Sequence, residues 1–223
     1  AMGSIQDWAG IWRFAYSHSR EAVLEPARMD YFNMASDPLG QASERASLLL
    51  FLRGDMRPAQ HSIAIAMTLA DLESPPSRIP TLAPRWHWAA WLTKVGTQVL
   101  ADPSAAAAFS GVLSLGWSTP PTKYGGKGVA ADLSPYEVDD ARLLGFLKAR
   151  GTVRDSSSAD PDRKLYKSET GEITLDGPHD TMILDTSKTA GGYVPAGQTI
   201  RTSDGGFVAT LSGSDATVWV SSL

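Results

Sequence analysis

The residues of this 223-residue chain with the most chemical potential are a Tyr-Ser-His triplet, a tryptophan cluster and four histidines. Tyr16, Ser17 and His18 end the aromatic run GIWRFAYSH of 10–18. If that run is a buried parallel strand, the triplet stands at a carboxyl end, where α/β proteins place ligands. The bland alternative is a His and a Tyr that satisfy local backbone groups. Trp86, His87, Trp88 and Trp91 form the densest aromatic cluster. The apolar C–H faces of a sugar stack well on such rings, so the cluster suits a carbohydrate cleft. Ordinary core packing along one helix side is the favoured explanation of the two. Trp86 and Trp88 cannot both share a helical face with Trp91, so at least one is expected at the surface or at a contact.

Other chemistries find little support. His18, His61, His87 and His179 show no HxH or HExxH spacing, and there is no Cys, so no zinc site is expected. No GxSxG elbow is present, and GGKG (125–128) lacks the helix-opening Ser/Thr of a phosphate loop. The carboxylate pairs Asp139/Asp140 and Asp160/Asp162 read as solvated surface on a helix and in a polar linker. Glu21 and Glu25 lie in a loop. Glycosidic hydrolysis needs two carboxylates aimed at one bond, and no strand end supplies such a pair. No catalytic residue, metal or cofactor is therefore assigned. Lys+Arg 20 against Asp+Glu 24 gives a net charge of −4 with no basic cluster, which makes nucleic acid a poor partner. The greasiest run, ASLLLFL (46–52), falls short of the ~18 residues that cross a bilayer, so no membrane partner is expected.

The elements that must position these groups follow from the pattern of apolar residues. GIWRFAYSH is apolar on both sides apart from Arg13, which predicts a doubly buried strand. Ser36 or Asp37 can cap a helix opening at Pro38, and apolar residues Leu39, Ala42, Ala46 and Leu49 predict a helix over 37–53 closed by Gly54. HSIAIAMTLA (61–70) alternates and predicts a strand. ESPPSRIPTLAP (73–84) is a loop. WHWAAWLTKVGTQVL (86–100) has apolar residues at helical spacing, and 101–113 reads as a further helical piece. YEVDDARLLGFLKARG (136–151) predicts a helix ending at Gly151, and RDSSSADPDRK (154–164) a polar linker. Beyond 164, LYKSETGEITLDG, HDTMILDTS, GQTIRTSDGGFVATLSG and DATVWVSSL predict antiparallel strands separated by turns at 169–172, 203–206 and 212–215. AMGS (1–4) reads as a cloning scar or as the tail of a helix.

Taken in order, DWAGIWRFAYSHS, YFNMASDPLGQASERASLLLFLRGDMRPAQ, the WLTKVGT and LGWSTPP segments and ITLDGPHDTMILDTSKT…ATVWVSSL resemble the C-terminal part of large bacterial glycoside hydrolases. These are the retaining (β/α)8-barrel enzymes of the β-galactosidase/agarase type, with an appended β-sandwich. The resemblance implies that residues 8–16 are the approach to and body of the last barrel strand. Tyr16, Ser17 and His18 would then stand at the active-site rim. The two catalytic glutamates of such enzymes would precede residue 1.

The fold class expected is therefore α+β: the terminal strand and helix of a (β/α)8 barrel (1–58), then an antiparallel β-sandwich-like domain (59–223) carrying a mostly helical insert (72–163). The function expected is a fragment of a retaining glycoside hydrolase acting on poly- or oligosaccharides, without its catalytic carboxylates. A non-catalytic carbohydrate-binding or structural accessory module is the alternative. Substrate contacts fall to Tyr16, Ser17, His18, Trp86 and Trp88, and the partners are carbohydrate and the missing barrel strands. A secreted or periplasmic parent is implied. If so, residues 1–58 should offer a large apolar surface along 11–16 and on the Leu39/Ala42/Ala46/Leu49 side of the helix.

Overall fold

The computed structural model describes residues 1–12, 16–25, 34–73, 84–100, 112–115, 139–154, 157–202, 206–210 and 216–221. In chain order, helices α1 (Met2–Ile5), α2 (Glu21–Leu24) and α3 (Pro38–Phe51) precede strand β1 (Ser62–Thr68) and helix α4 (Leu69–Glu73). A 3-10 helix (Pro84–Trp91), strands β2 (Lys94–Leu100) and β3 (Val112–Leu115) and helix α5 (Asp140–Ala149) follow. The rest is β: β4 (Ala159–Asp160), β5 (Leu165–Lys167), β6 (Ile173–Asp176), β7 (Thr181–Asp185), β8 (Thr189–Val194), β9 (Thr199–Arg201), β10 (Val208–Thr210) and β11 (Ala216–Ser221). The fold is mixed α+β, with antiparallel sheet and few helices. The chain forms two compact units, Ala1–Arg57 with Thr170–Leu223, and Pro58–Glu169.

In the first unit, β11, β8, β7 and β6 lie side by side as an antiparallel sheet, and β9 pairs with β10 as a separate hairpin. Helix α3 packs on β8 and β11. Its start follows from Asp37, whose carbonyl accepts Gln41 N at 2.9 Å, and from Pro38, which loses no hydrogen bond in a first turn. Its end follows from Gly54, at φ +74°. Ala46 and Leu50 are buried, as are Ile5, Met56, Ile173, Leu184 and Val194 of the same unit. Contrary to the open Leu39/Ala42/Ala46/Leu49 side expected, Ala46 is buried and Leu49 half-buried, because α3 packs on β8 and β11, and the exposed leucines are Leu48 and Leu52; the side chain of Leu39 lies outside the described residues. Ala42 is exposed as well.

Strand β8, TAGGYV, is the inner member of this sheet, and its Gly pair has a steric reason. Gly192 has φ +154°, and a Cβ there would sit 1.9 Å from the carbonyl oxygen of Met182 on β7. Only glycine allows that approach.

Residues 10–18 depart from expectation. The described parts, 10–12 and 16–18, are not strand, and 13–15 lie outside the described residues. A doubly buried strand needs neighbours on both edges to take its backbone groups. Among the described residues no strand pairs with it. Instead the chain turns at Asp7, in the left-handed region at φ +60°, and the Tyr16 carbonyl accepts Met34 N and Ala35 N.

The second unit holds a parallel three-stranded sheet in the order β2-β1-β3, with Ile63 opposite Val95 and Leu113. The strand expected at 61–70 is present as β1, but its partners are parallel rather than the antiparallel neighbours of a sandwich. The segment 86–100, expected to be one helix, is a 3-10 helix followed by β2. Val95, Thr97 and Val99, β-branched at every second position, prevail over the helical spacing of the tryptophans. Within 101–113, expected helical, residues 112–113 belong to β3, and 101–111 lie outside the described residues. The polar linker contains β4, paired antiparallel with β5. Ile63, Trp88, Ala89, Leu92, Leu143, Leu147, Val153 and Ala159 make the core of this unit.

Candidate functional site

An exposed apolar feature of the first unit lies where the N-terminal segment runs along α3. Ile5 is fully buried and Ser4 Oγ donates to the Leu50 carbonyl at 3.2 Å, which anchors α1. Trp8 N donates to the Gly3 carbonyl and closes the turn. Gly3 lets the returning chain lie close, since a Cβ there would stand 2.7 Å from Ile11 Cδ1. Between residues 9–12 and the outer side of α3 runs a groove of about 470 Å³, lined by Ile11, Trp12, Glu44, Leu48, Phe51 and Leu52 among others. Trp12 is 96% exposed, with its ring offered to solvent. The lining is chiefly apolar with one carboxylate. It can stack against a flat apolar face or seat an apolar element. A single Glu44 does not supply the carboxylate pair that glycosidic hydrolysis requires.

Tyr16, Ser17 and His18 follow this groove in sequence and form a bend. Tyr16 is half exposed, with its hydroxyl accepting from Gln41 Nε2 at 3.4 Å. Ser17 Oγ donates to the Ser19 carbonyl at 2.7 Å and is occupied locally, and His18 is exposed. Ser19 Oγ accepts Ala22 N and opens α2. The triplet is thus a capped turn beside a helix. Residues 13–15, which precede it, lie outside the described residues.

The tryptophan cluster belongs to the second unit. Trp88 is a core residue: 7% exposed, stacked on Tyr166 with ring centroids 6.0 Å apart and planes 8° from parallel. Its indole N–H donates to Asp140 Oδ1 at 3.2 Å. Ring and polar tip are both used internally, so the substrate contact expected of Trp88 gives way to core packing. The side chain of Trp86 lies outside the described residues. Trp91 is half-buried and His87 exposed.

Trp12 and Trp8 are what sequence reasoning passed over. The signal was present, because Trp12, Phe14 and Tyr16 alternate. Read as a strand, that alternation assigns the rings to the interior.

The first unit also holds two polar networks. Arg53 Nε and Nη2 bind Asp55 at 2.7 and 2.5 Å, and Thr189 Oγ1 donates to the same carboxylate at 2.6 Å. Arg53 also reaches Ser221 Oγ, which ties the end of α3 to β8 and β11. Chiefly the Arg53 hydrogen bond, helped by Thr189, holds the Asp55 carboxyl below the usual aspartate range, with burial opposing it. Glu172 similarly holds Arg57. These carboxylates have their hydrogen bonds satisfied within the protein and serve the fold. Among the described residues, no group of three or more His, Asp or Glu is placed to hold a metal. No described helix is long and apolar enough to cross a membrane.

Compared with known proteins, the sequence matches no family model, no curated protein and no solved structure.

Proposed function

We propose that this chain is the C-terminal part of a retaining (β/α)8-barrel glycoside hydrolase, supplying accessory β structure and a flank of the barrel but not the bond-breaking carboxylates. The observation that carries the reading is the open face of Trp12 above the groove formed with Leu48 and Leu52. The resemblance assigns residues 1–58 to the last β/α segment of a barrel, where such a face packs on the adjoining segments. Apolar surface of this kind on an isolated segment signals an interaction. The antiparallel sheet of β6, β7, β8 and β11 is compatible with the appended β-sandwich. Carbohydrate and the remaining barrel strands are the partners, and Tyr16, Ser17 and His18 are the rim candidates.

Two measurements test this. Residues 1–223 alone should turn over no aryl glycoside or polysaccharide in a sensitive reducing-sugar assay. The protein extended by the coding sequence upstream should turn over, and its Trp12 emission should shift to the blue as the ring is covered. Turnover by residues 1–223 alone defeats the reading.

The 96% exposure of Trp12 also favours a second reading, a non-catalytic carbohydrate-binding module. Retention on insoluble glycans that is lost in Trp12→Ala, with no turnover in the extended protein, selects this one.

A further inference from the structure

The chain leaves the first unit at Arg57 and rejoins it at Thr170, and the residues between form the second unit. A buried glutamate stands on each side of that return. Glu172, with 7% of its side chain exposed, accepts Arg57 N at 2.9 Å and Arg57 Nε at 2.8 Å. Arg57 Nη2 donates to the Thr170 carbonyl at 3.0 Å, and the Glu172 carbonyl accepts Asp185 N at 2.9 Å. All of these groups belong to the first unit. Glu169, with 6% of its side chain exposed, accepts His61 N at 2.9 Å and Thr93 Oγ1 at 3.2 Å, and meets His61 Nδ1 at 2.5 Å. Its own N–H donates to the Leu92 carbonyl at 3.0 Å, and Thr93 Oγ1 donates to the His61 carbonyl at 2.6 Å. All of these belong to the second unit. Gly171, at φ +78°, turns the backbone between the two glutamates.

Buried carboxylates are costly unless hydrogen-bonded, so each of these strongly favours the state in which its own partners are in place. Neither glutamate takes any of these bonds from the other unit. The beginning and the end of the second unit are held together by its own side chains, and the first unit is fastened across the gap by its own.

We infer that residues 58–169 are an inserted domain whose two ends are clasped by Glu169, and that Glu172 clasps the two ends of the first unit, so that loss of either clasp loosens its own unit first. Native-state hydrogen exchange on the full chain tests this. Glu169→Ala should lower protection of the Leu92, Leu143 and Leu147 amides about tenfold or more. Leu50, Leu184 and Ala190 should keep theirs within about twofold. Glu172→Ala should give the reverse pattern. Thr93→Val removes the hydroxyl that the His61 carbonyl and Glu169 share, at nearly constant shape, and should repeat the Glu169 pattern at smaller amplitude. Equal losses in both units, no change in either, or global unfolding on Glu169→Ala would each overturn the inference.

Discussion

Asp55 shows how one side chain couples fold to pH. Its carboxylate is buried and receives three hydrogen bonds, two from Arg53 and one from Thr189. The Arg53 hydrogen bond is the main reason its folded-state value lies below that of the unfolded chain. The proton therefore binds the unfolded state more readily, so the stabilisation is fully present above the unfolded value of ~3.9 and disappears as pH falls through the lower folded value. Urea midpoints measured from pH 7 down to pH 2.5 should fall below about pH 4. Asp55→Asn should lower stability at pH 7 by about 1–3 kcal/mol, a range kept modest because Arg53 is partly exposed, and should flatten the acid limb. An unchanged acid limb in the variant would move the pH dependence to other groups. At this scale the sequence was only half legible. Asp139 and Asp140 read as a solvated pair. In the fold Asp139 caps α5 by accepting Arg142 N at 2.7 Å, and Asp140 receives the Trp88 indole. The second role depends on a partner far along the chain, which spacing does not reveal.

Elements were legible where local signals agree. Helix α3 lies where Pro38 and Gly54 place it, and β1 forms within the alternating segment 61–70. Strand β8 went unread, since two adjacent glycines dilute the apolar alternation that marks a strand. The same glycines become intelligible once the strand is placed between β7 and β11, where Gly192 faces Ile183 on one side and Val218 on the other. Gly192→Ala must push the Met182 carbonyl away or break the ladder, and should cost about 2–4 kcal/mol in chemical denaturation. Gly145→Ala is the natural control. That glycine lies inside α5 with nothing near its added Cβ, and the change should stabilise by about 0.4–1 kcal/mol. Equal effects at the two positions would mean that the close approach of β7 and β8 does not hold in solution.

For the whole molecule, the parallel sheet and the return of the chain to its first unit were hidden from the sequence. Both rest on pairings between distant residues, and periodicity reports only which side of an element is apolar. It cannot report what covers that side. Helix α3 shows the difference. The Leu/Ala stripe was legible, but its division between sheet and solvent was not: Leu50 is 1% exposed and Leu52 73%. Leu50→Ala should cost about 2–5 kcal/mol, because it empties space beneath β8 and β11. Leu52→Ser should change stability by less than about 0.5 kcal/mol while reducing dye binding to exposed apolar surface. The proposed function makes the second number conditional. In the upstream-extended protein Leu52 would be covered by adjoining barrel segments, and Leu52→Ser should then destabilise it by an amount comparable to other buried leucines, about 2 kcal/mol or more. Thermal or urea denaturation of both lengths, each with and without the substitution, separates the cases. A Leu52→Ser cost that stays near zero in the extended protein would mean that the face remains open, and the glycan-binding reading through Trp12 would then take precedence.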